Sequence, residues 1–246
     1  MPARGSGRGP TIGGIARPRP AAPAPNDMDR APRPLRVWDL PTRLFHWTLV
    51  LLLAGSFVTV KVGGSLMVWH ERLGFAALAL VLFRLIWGVA GGRYARFAQF
   101  VRGPRSVLAY LRGAAPGQPG HNPVGALSVL ALLAAVAFQA VSGLFTNDDI
   151  AFEGPLARYV SGAWSSALTT WHRWNEWVIL GLVALHVAAI VYYRVVRGRD
   201  LIGPMVTGDA PAAAGAVPSR DDAGLRLRAL VIFAGCAALV GWLVSR

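Results

Sequence analysis

Charged residues are scarce in this sequence. Only 15% of its 246 residues are Asp, Glu, Lys or Arg, whereas 54% are hydrophobic. A soluble domain averages about 25% charged and about 45–50% apolar residues, so the chain lacks the polar surface that a soluble domain of this size needs. Together with a mean hydropathy of +0.45, this composition predicts an integral membrane protein.

Cysteine and acidic residues are also few. The single cysteine, Cys236, cannot form an internal disulfide, which excludes a disulfide-rich fold. The chain has 25 Lys and Arg against 12 Asp and Glu, and in a soluble protein this excess would suggest a nucleic-acid partner. Here the arginines flank apolar segments instead of forming a basic stripe with interleaved aromatics, so we expect no nucleic-acid partner.

Five apolar stretches approach the roughly 20 residues that a membrane-spanning helix needs. They are Leu44–Val60, Leu73–Gly92, Val124–Phe145, Trp171–Tyr193 and the shorter Ala229–Val244. None shows the alternation of a membrane-spanning strand. We therefore predict an all-α integral membrane protein, a four-helix transmembrane bundle with a fifth, C-terminal transmembrane helix.

The distribution of basic residues predicts the orientation of the bundle. Eight Lys and Arg lie between the N-terminus and Arg43, five in the loop after the second stretch and six in residues 194–228. Because cytoplasmic loops are enriched in Lys and Arg, the N-terminus should be cytoplasmic and the 147–170 loop should face outward. Residues 1–34, rich in Pro, Ala, Gly and Arg, should form a disordered tail, and residues 104–112 a short amphipathic helix at the cytoplasmic surface.

Four of the five histidines lie in or at the ends of these apolar stretches, where ionisable side chains are costly and usually functional. His172 and His186 are 14 residues apart, which on one helix places them roughly 21 Å apart along the axis and only about 40° apart around it. With the N-terminus inside, His70 and His172 share an outer level. His46 and His186 share an inner level.

Two imidazoles that face each other across a bundle suit the axial ligation of a b-type haem. Covalent haem attachment is excluded because no Cys-x-x-Cys-His occurs, and zinc would need three or four ligands at one depth. The sequence therefore predicts two haems, ligated by the pairs His70–His172 and His46–His186. A haem-free channel or transporter with scattered histidines remains the alternative.

Arg84 follows His70 by 14 residues, so it shares the face of His70 at the depth of the inner haem. A haem propionate is a natural partner for such an arginine, and snorkelling toward the interface is the alternative.

His121 is expected to be a locally hydrogen-bonded residue before a helix; a propionate contact or a proton acceptor beside quinone are the functional alternatives. Gln139 and Ser142 should bond to neighbouring helices.

Glycines would let helix backbones approach a flat macrocycle, although they are also common at ordinary contacts between membrane helices. The candidates for this role are Gly55, Gly125, Gly143 and Gly181.

Several segments resemble a known family when they are taken in order. They are VWDLPTRLFHW (37–47), WHERLG (69–74), FRLIWG (83–88), GHNPVGALSVL (120–130), SGLFTNDDIAFEGPLA (142–157), WHRWNEWVILGLVALH (171–186) and LIGPMVTG (201–208). The sequence resembles bacterial cytochrome b561 proteins and the b-type cytochrome subunit of Ni/Fe hydrogenases. The resemblance covers residues 37–208.

This resemblance implies a four-helix core with two haem b groups, whose axial ligands match His46, His70, His172 and His186. It also implies a multi-pass protein of the bacterial plasma membrane, in which electrons pass between quinone and a partner redox protein (a hydrogenase, another dehydrogenase or a c-type cytochrome). Residues 35–208 would form this domain, with 209–246 as a linker and the fifth helix.

The cofactor performs the redox step in such a protein, so no catalytic side chain is expected. The chain contains no soluble catalytic domain and no second cofactor motif, which favours an electron-transfer subunit over a complete enzyme. A stand-alone quinone-linked oxidoreductase that acts on a small molecule such as superoxide is the alternative.

Overall fold

The computed structural model of the chain describes residues 34–114, 120–150, 152–211 and 215–246. The tail predicted to be disordered, 1–34, therefore lies outside the described residues except for Pro34.

The described residues form eight α-helices and one two-stranded antiparallel sheet. In chain order they are β1 (Pro34–Arg36), α1 (Leu40–Val62), α2 (Met67–Ala90), α3 (Phe97–Phe100), α4 (Pro104–Leu111), α5 (Pro123–Gly143), α6 (Gly162–Val195), α7 (Ile202–Thr207), β2 (Asp209–Pro211) and α8 (Ala223–Val244). Strand β1 pairs with β2 so that Leu35 lies opposite Ala210.

Five of these helices, α1, α2, α5, α6 and α8, are long and apolar enough to cross a membrane. The predicted all-α membrane fold is thus confirmed, and the predicted surface segment 104–112 is helical as α4. All five long helices begin before their apolar stretches. In four of them, α1, α5, α6 and α8, a side chain caps the first turn, that of Asp39, Asn122, Ser161 or Asp222. Hydropathy detects the apolar part of a helix and misses the polar turns beyond it.

Helix α2 is the centre of the bundle. It packs against α1, α5 and α8, and α5 packs against α6. Its residues Phe83 and Trp87 are buried against Leu225 and Ala229 of α8, while Val81 is buried against α5. Burial of apolar side chains against α8 therefore covers one side of α2 and leaves its other sides for α1 and α5.

Helices α1 and α6, both fully described, do not share a packed face of this kind. They carry all but one of the four predicted ligand histidines, since His46 lies near the start of α1 and His172 and His186 lie on α6. We call the end of the bundle with Leu40 the inner end and the end with Gly63 the outer end. A cavity lies between α1 and α6.

Replacement of Gly88 by Ala tests how tightly α2 packs. A Cβ at Gly88 would overlap the ring of Phe97, and such overpacking costs about 1–3 kcal/mol. We expect G88A to unfold at a lower temperature than the parent in detergent. Gly241→Ala on α8 is the control, because its Cβ would meet no atom within 4 Å. Equal melting temperatures for the two variants would contradict this packing.

Candidate cofactor-binding site

The four predicted histidines form two pairs. The ring centres of His70 and His172 are 6.2 Å apart, and those of His46 and His186 are 6.5 Å apart. The members of each pair come from different helices, α2 and α6 in the outer pair and α1 and α6 in the inner pair. The histidines that helix geometry places at the same depth are thus the ones whose rings lie close together.

These separations suit a metal held between two imidazoles. A metal–nitrogen bond of about 2 Å on each side, with roughly 1 Å from nitrogen to ring centre, sets the two centres about 6 Å apart. In the part of the chain that the structure describes, no group of three or more His, Cys, Asp or Glu is placed to hold a metal ion. A metal at either pair would therefore need most of its ligands from a macrocycle.

Hydrogen bonds fix the outer pair. The Nδ1 atom of His70 lies 2.9 Å from the carbonyl oxygen and 3.0 Å from the hydroxyl of Ser56. The Nδ1 atom of His172 lies 3.1 Å from the hydroxyl of Ser142. A histidine that ligates a metal through Nε2 characteristically donates its Nδ1–H to such an oxygen, which fixes both the tautomer and the ring orientation.

Two cavities share His70 and His172 in their walls. The larger, about 510 Å³, lies between α1 and α6, where Phe57 and Leu180 supply apolar walls. The smaller, about 130 Å³, lies toward α2 and α5 and is also lined by Gly74. Open space on both sides of the paired rings suits a flat ligand that extends outward from a central metal.

The backbone approaches His172 closely at Gly143. A Cβ added there would lie 3.0 Å from the Cε1 atom of His172, so only glycine gives the imidazole this position without a shift. Gly55 has a comparable role between α1 and α2, because its added Cβ would lie 3.1 Å from Leu73. At Gly181 the added Cβ would meet nothing within 4 Å, and at Gly125 it would meet the cap residue Asn122. An approach of either backbone to a macrocycle stays a prediction.

Arg84 is buried, with 3% of its surface exposed, which argues against snorkelling. Its guanidinium lies 4.8 Å from the ring centre of Phe97 and 5.9 Å from that of Phe45. Its Nη1 atom has no hydrogen-bond partner among the described residues. A buried cation stacked on two aromatic rings and left with an unpaired donor suits an anionic ligand.

His121 lies between two aromatic rings instead of making the local hydrogen bond expected for it. The ring centres of Trp38 and Phe100 are each 4.7 Å from that of His121, and its Nδ1 atom has no partner within the described chain. Burial, and then the positive charge of Arg84 and the two inner histidines, lower the pKa of His121 to about 3. The imidazole is therefore neutral at physiological pH.

Two polar residues of α5 behave as the sequence suggests. Ser142 bonds to His172, and Gln139 accepts a hydrogen bond of 2.8 Å from Asn175 of α6. Ser56 was not foreseen. Its only signal in the sequence is a hydroxyl within an apolar span, and serines commonly bond within their own helix.

The side chains present fit haem better than a bare metal ion. Each level offers two opposed imidazoles, and the outer level adds flanking space and a glycine against one ring. Among the described residues, the buried atoms without a hydrogen-bond partner at the inner level include Nδ1 of His46 and Nη1 of Arg84. Arg84 Nη1 is a donor, and His46 Nδ1 is one in the tautomer that ligates a metal through Nε2, so haem carboxylates could accept from both.

Comparisons with known proteins agree with this chemistry. The profile of the family described as "Prokaryotic cytochrome b561" matches residues 37–208. The "Probable Ni/Fe-hydrogenase 1 B-type cytochrome subunit" of Escherichia coli (strain K12) is 24% identical over 209 residues, which cover 70% of this chain and 88% of that protein. The "Probable Ni/Fe-hydrogenase B-type cytochrome subunit" of Rhizobium leguminosarum bv. viciae is 24% identical over 219 residues, 70% of this chain and 87% of that protein.

No solved structure matches the chain. The family profile, however, spans four of the five long helices and all four paired histidines. The chain therefore belongs to the prokaryotic cytochrome b561 family, whose members are multi-pass membrane proteins that hold haem b and take part in electron transfer.

Proposed function

We propose that this protein is a dihaem electron-transfer subunit that connects a redox partner protein with the quinone pool. The outer haem would be held by His70 and His172, and the inner haem by His46 and His186. The observation that carries the proposal is the spacing of the two ring pairs, 6.2 and 6.5 Å between centres.

Bound haem supplies reversible one-electron chemistry at iron. The side chains of this protein set where and how readily that chemistry occurs. The imidazoles fix the depth of each group, and the hydroxyls of Ser56 and Ser142 hold the outer rings in orientation. At the inner level Arg84 would pair with a haem carboxylate, since one donor of its buried guanidinium has no partner within the described part of the chain.

Two levels of haem on one bundle suit electron transfer across the membrane. His172 and His186 are separated by four turns of α6, roughly 21 Å at 1.5 Å per residue. Because the basic residues predict a cytoplasmic N-terminus, the outer haem would face the exterior of the bacterial plasma membrane. A partner such as a hydrogenase would exchange electrons there, and quinone would react from the lipid phase.

The hydrogenase partner is supported by the names of the two relatives, which describe subunits of Ni/Fe hydrogenases. A stand-alone oxidoreductase that uses quinone and a small molecule such as superoxide is the second candidate. A stable co-purifying redox subunit favours the first candidate, whereas superoxide-driven quinone reduction by the isolated chain favours the second. Family membership favours either of these over a haem-free channel.

Substitution of single histidines tests the number and pairing of the haems. We expect the parent to contain two haems per polypeptide. His70→Ala and His172→Ala should each lose the same one, since a macrocycle held on one side only is released readily. His46→Ala should lose the other. Haem content and the reduced-minus-oxidised spectrum of the purified variants provide the measurement.

Thr170→Ala is the control for these variants, because Thr170 is exposed on α6 two residues before His172. It should retain both haems. Loss of different haems from His70→Ala and His172→Ala would refute the pairing, and one haem in the parent would refute the dihaem proposal.

Ser142→Ala and Ser56→Ala should differ in their effect on the outer haem. Ser142→Ala removes the hydroxyl bonded to His172, and loss of such a supporting bond typically costs about 10–100-fold in affinity. Ser56→Ala should cost less, because its backbone carbonyl still accepts from His70. Haem transfer to apomyoglobin measures the dissociation rates, with the exposed Ser166→Ala as control. A larger effect of Ser56→Ala would contradict this account.

Arg84→Gln should lower the midpoint potential of the inner haem. A positive charge beside a haem stabilises the reduced iron, and loss of the charge should shift the reduction equilibrium about tenfold, or about 59 mV for one electron. Optical redox titration measures the shift. Arg84→Lys keeps the charge and should shift it less, and the exposed Arg93→Gln should leave it unchanged. An unaltered inner potential in Arg84→Gln would exclude the carboxylate contact.

A further inference from the structure

The end of α7 binds the start of α1 through four successive carbonyl oxygens. In order, Met205 O accepts from Trp47 Nε1 (3.1 Å), Val206 O from Arg43 Nη1 (2.6 Å), Thr207 O from Arg36 Nη1 (3.0 Å) and Gly208 O from the backbone N–H groups of Val37 (2.9 Å) and Trp38 (3.1 Å). Carbonyls at a helix C-terminus lack partners within the helix and attract cations. Here the guanidinium groups of Arg36 and Arg43 supply both the hydrogen-bond donors and the positive charge.

Gly208 makes this arrangement possible. Its φ of +93° places it in the left-handed region that commonly ends helices and favours glycine. A side chain at this position would also overlap the Arg36 guanidinium. Strand β2 follows directly and pairs with β1, so the chain returns along the segment that precedes α1.

Asp221 also binds the start of α1 and the two arginines. Its Oδ1 atom accepts from the Leu40 N–H and from Arg226 Nε, both at 3.1 Å. Its Oδ2 atom lies 3.5 Å from Arg36 Nη1 and 3.9 Å from Arg43 Nη2. Burial favours a raised pKa for Asp221, but the bonds from Arg226 and Leu40 and the charge of Arg36 lower it. The carboxylate is therefore ionised and binds the first residue of α1.

These contacts join the two helices of the inner histidine pair. Helix α7 begins seven positions after α6 ends at Val195, whereas α1 and α6 share no packed face of their own. The indole of Trp47 contacts both the end of α7 and the inner histidine pair. Its Nε1 donates to the carbonyl oxygen of Met205, and its ring centre lies 4.9 Å from that of His46. The outer pair lies at the other end of the bundle, where α1 and α6 are joined differently, by the ion pair between Lys61 and Glu176 at 2.6 Å.

We propose that the inner clasp, formed by Met205–Gly208 and Asp221 against Arg36, Arg43 and Trp47, positions His46 opposite His186. The role in haem ligation rests on the proposed function. The spacing of α1 and α6 does not. Arg43 and Asp221 are thus positioning residues for the inner haem, and Asp221 lies in the C-terminal segment beyond the family match at residue 208.

Spin labels measure the spacing directly and do not depend on haem. Labels at Leu44→Cys on α1 and Val195→Cys on α6 use exposed positions at the inner end, in a Cys236→Ala background. The parent should give a narrow distance distribution. Arg43→Gln and Asp221→Asn should each broaden it. Arg93→Gln, which changes an exposed arginine outside these contacts, should not.

The consequence for haem is measured by electron paramagnetic resonance of the oxidised protein. The signals are first assigned as those lost in His46→Ala and in His70→Ala. Arg43→Gln and Asp221→Asn should shift the inner signal and speed inner haem loss about tenfold, as expected for a supporting interaction. The outer signal should be unchanged, and Arg43→Lys should restore part of the inner one.

An unchanged label distance in both variants would overturn the clasp, as would equal disturbance of both haem signals, which indicates general destabilisation. If the histidine variants do not resolve two haems, the proposed function fails, while the label distances still decide whether the clasp sets the helix spacing. A broadened distance with an unshifted inner signal would overturn the positioning role.

Discussion

The distance between two imidazole rings from different helices is the constraint on which the rest of this structure depends. Two imidazoles can ligate the metal of a macrocycle from opposite sides only when their ring centres lie about 6 Å apart. The observed distances of 6.2 and 6.5 Å satisfy this requirement at two depths. Close helix packing would not by itself leave room for the macrocycle. The bundle therefore combines tight contacts around α2 with an open space between α1 and α6.

Much of this arrangement could be predicted from the sequence. Hydropathy located the five long helices because burial in lipid demands apolar side chains along each span. Helical geometry paired the histidines, because a spacing of 14 residues places two side chains near one face. Alternate directions of successive spans then gave the shared depths. Neither argument needs tertiary detail.

The supporting contacts could not be predicted in this way, because they depend on which backbone atom lies opposite a side chain. Ser56 reaches His70 through both its carbonyl and its hydroxyl, and no periodicity distinguishes it from an ordinary serine. Helix α7 is only six residues long, too short for an apolar pattern. Among the described residues, the Nδ1 atom of His121 lacks the local bond expected before a helix, and aromatic rings from two other segments lie against its imidazole.

The two levels achieve the same spacing by different means. At the outer level, hydrogen bonds act on the rings themselves, through serines of the neighbouring helices α1 and α5. At the inner level the Nδ1 of His46 has no partner among the described residues, and the bonds act on the helix that carries it, through Arg43 and Asp221. Fixing the ring limits its rotation, whereas fixing the helix end limits only the distance. A macrocycle bound at the inner level as proposed would therefore meet imidazoles that are freer to rotate, and the buried charge of Arg84 would contribute more to its orientation.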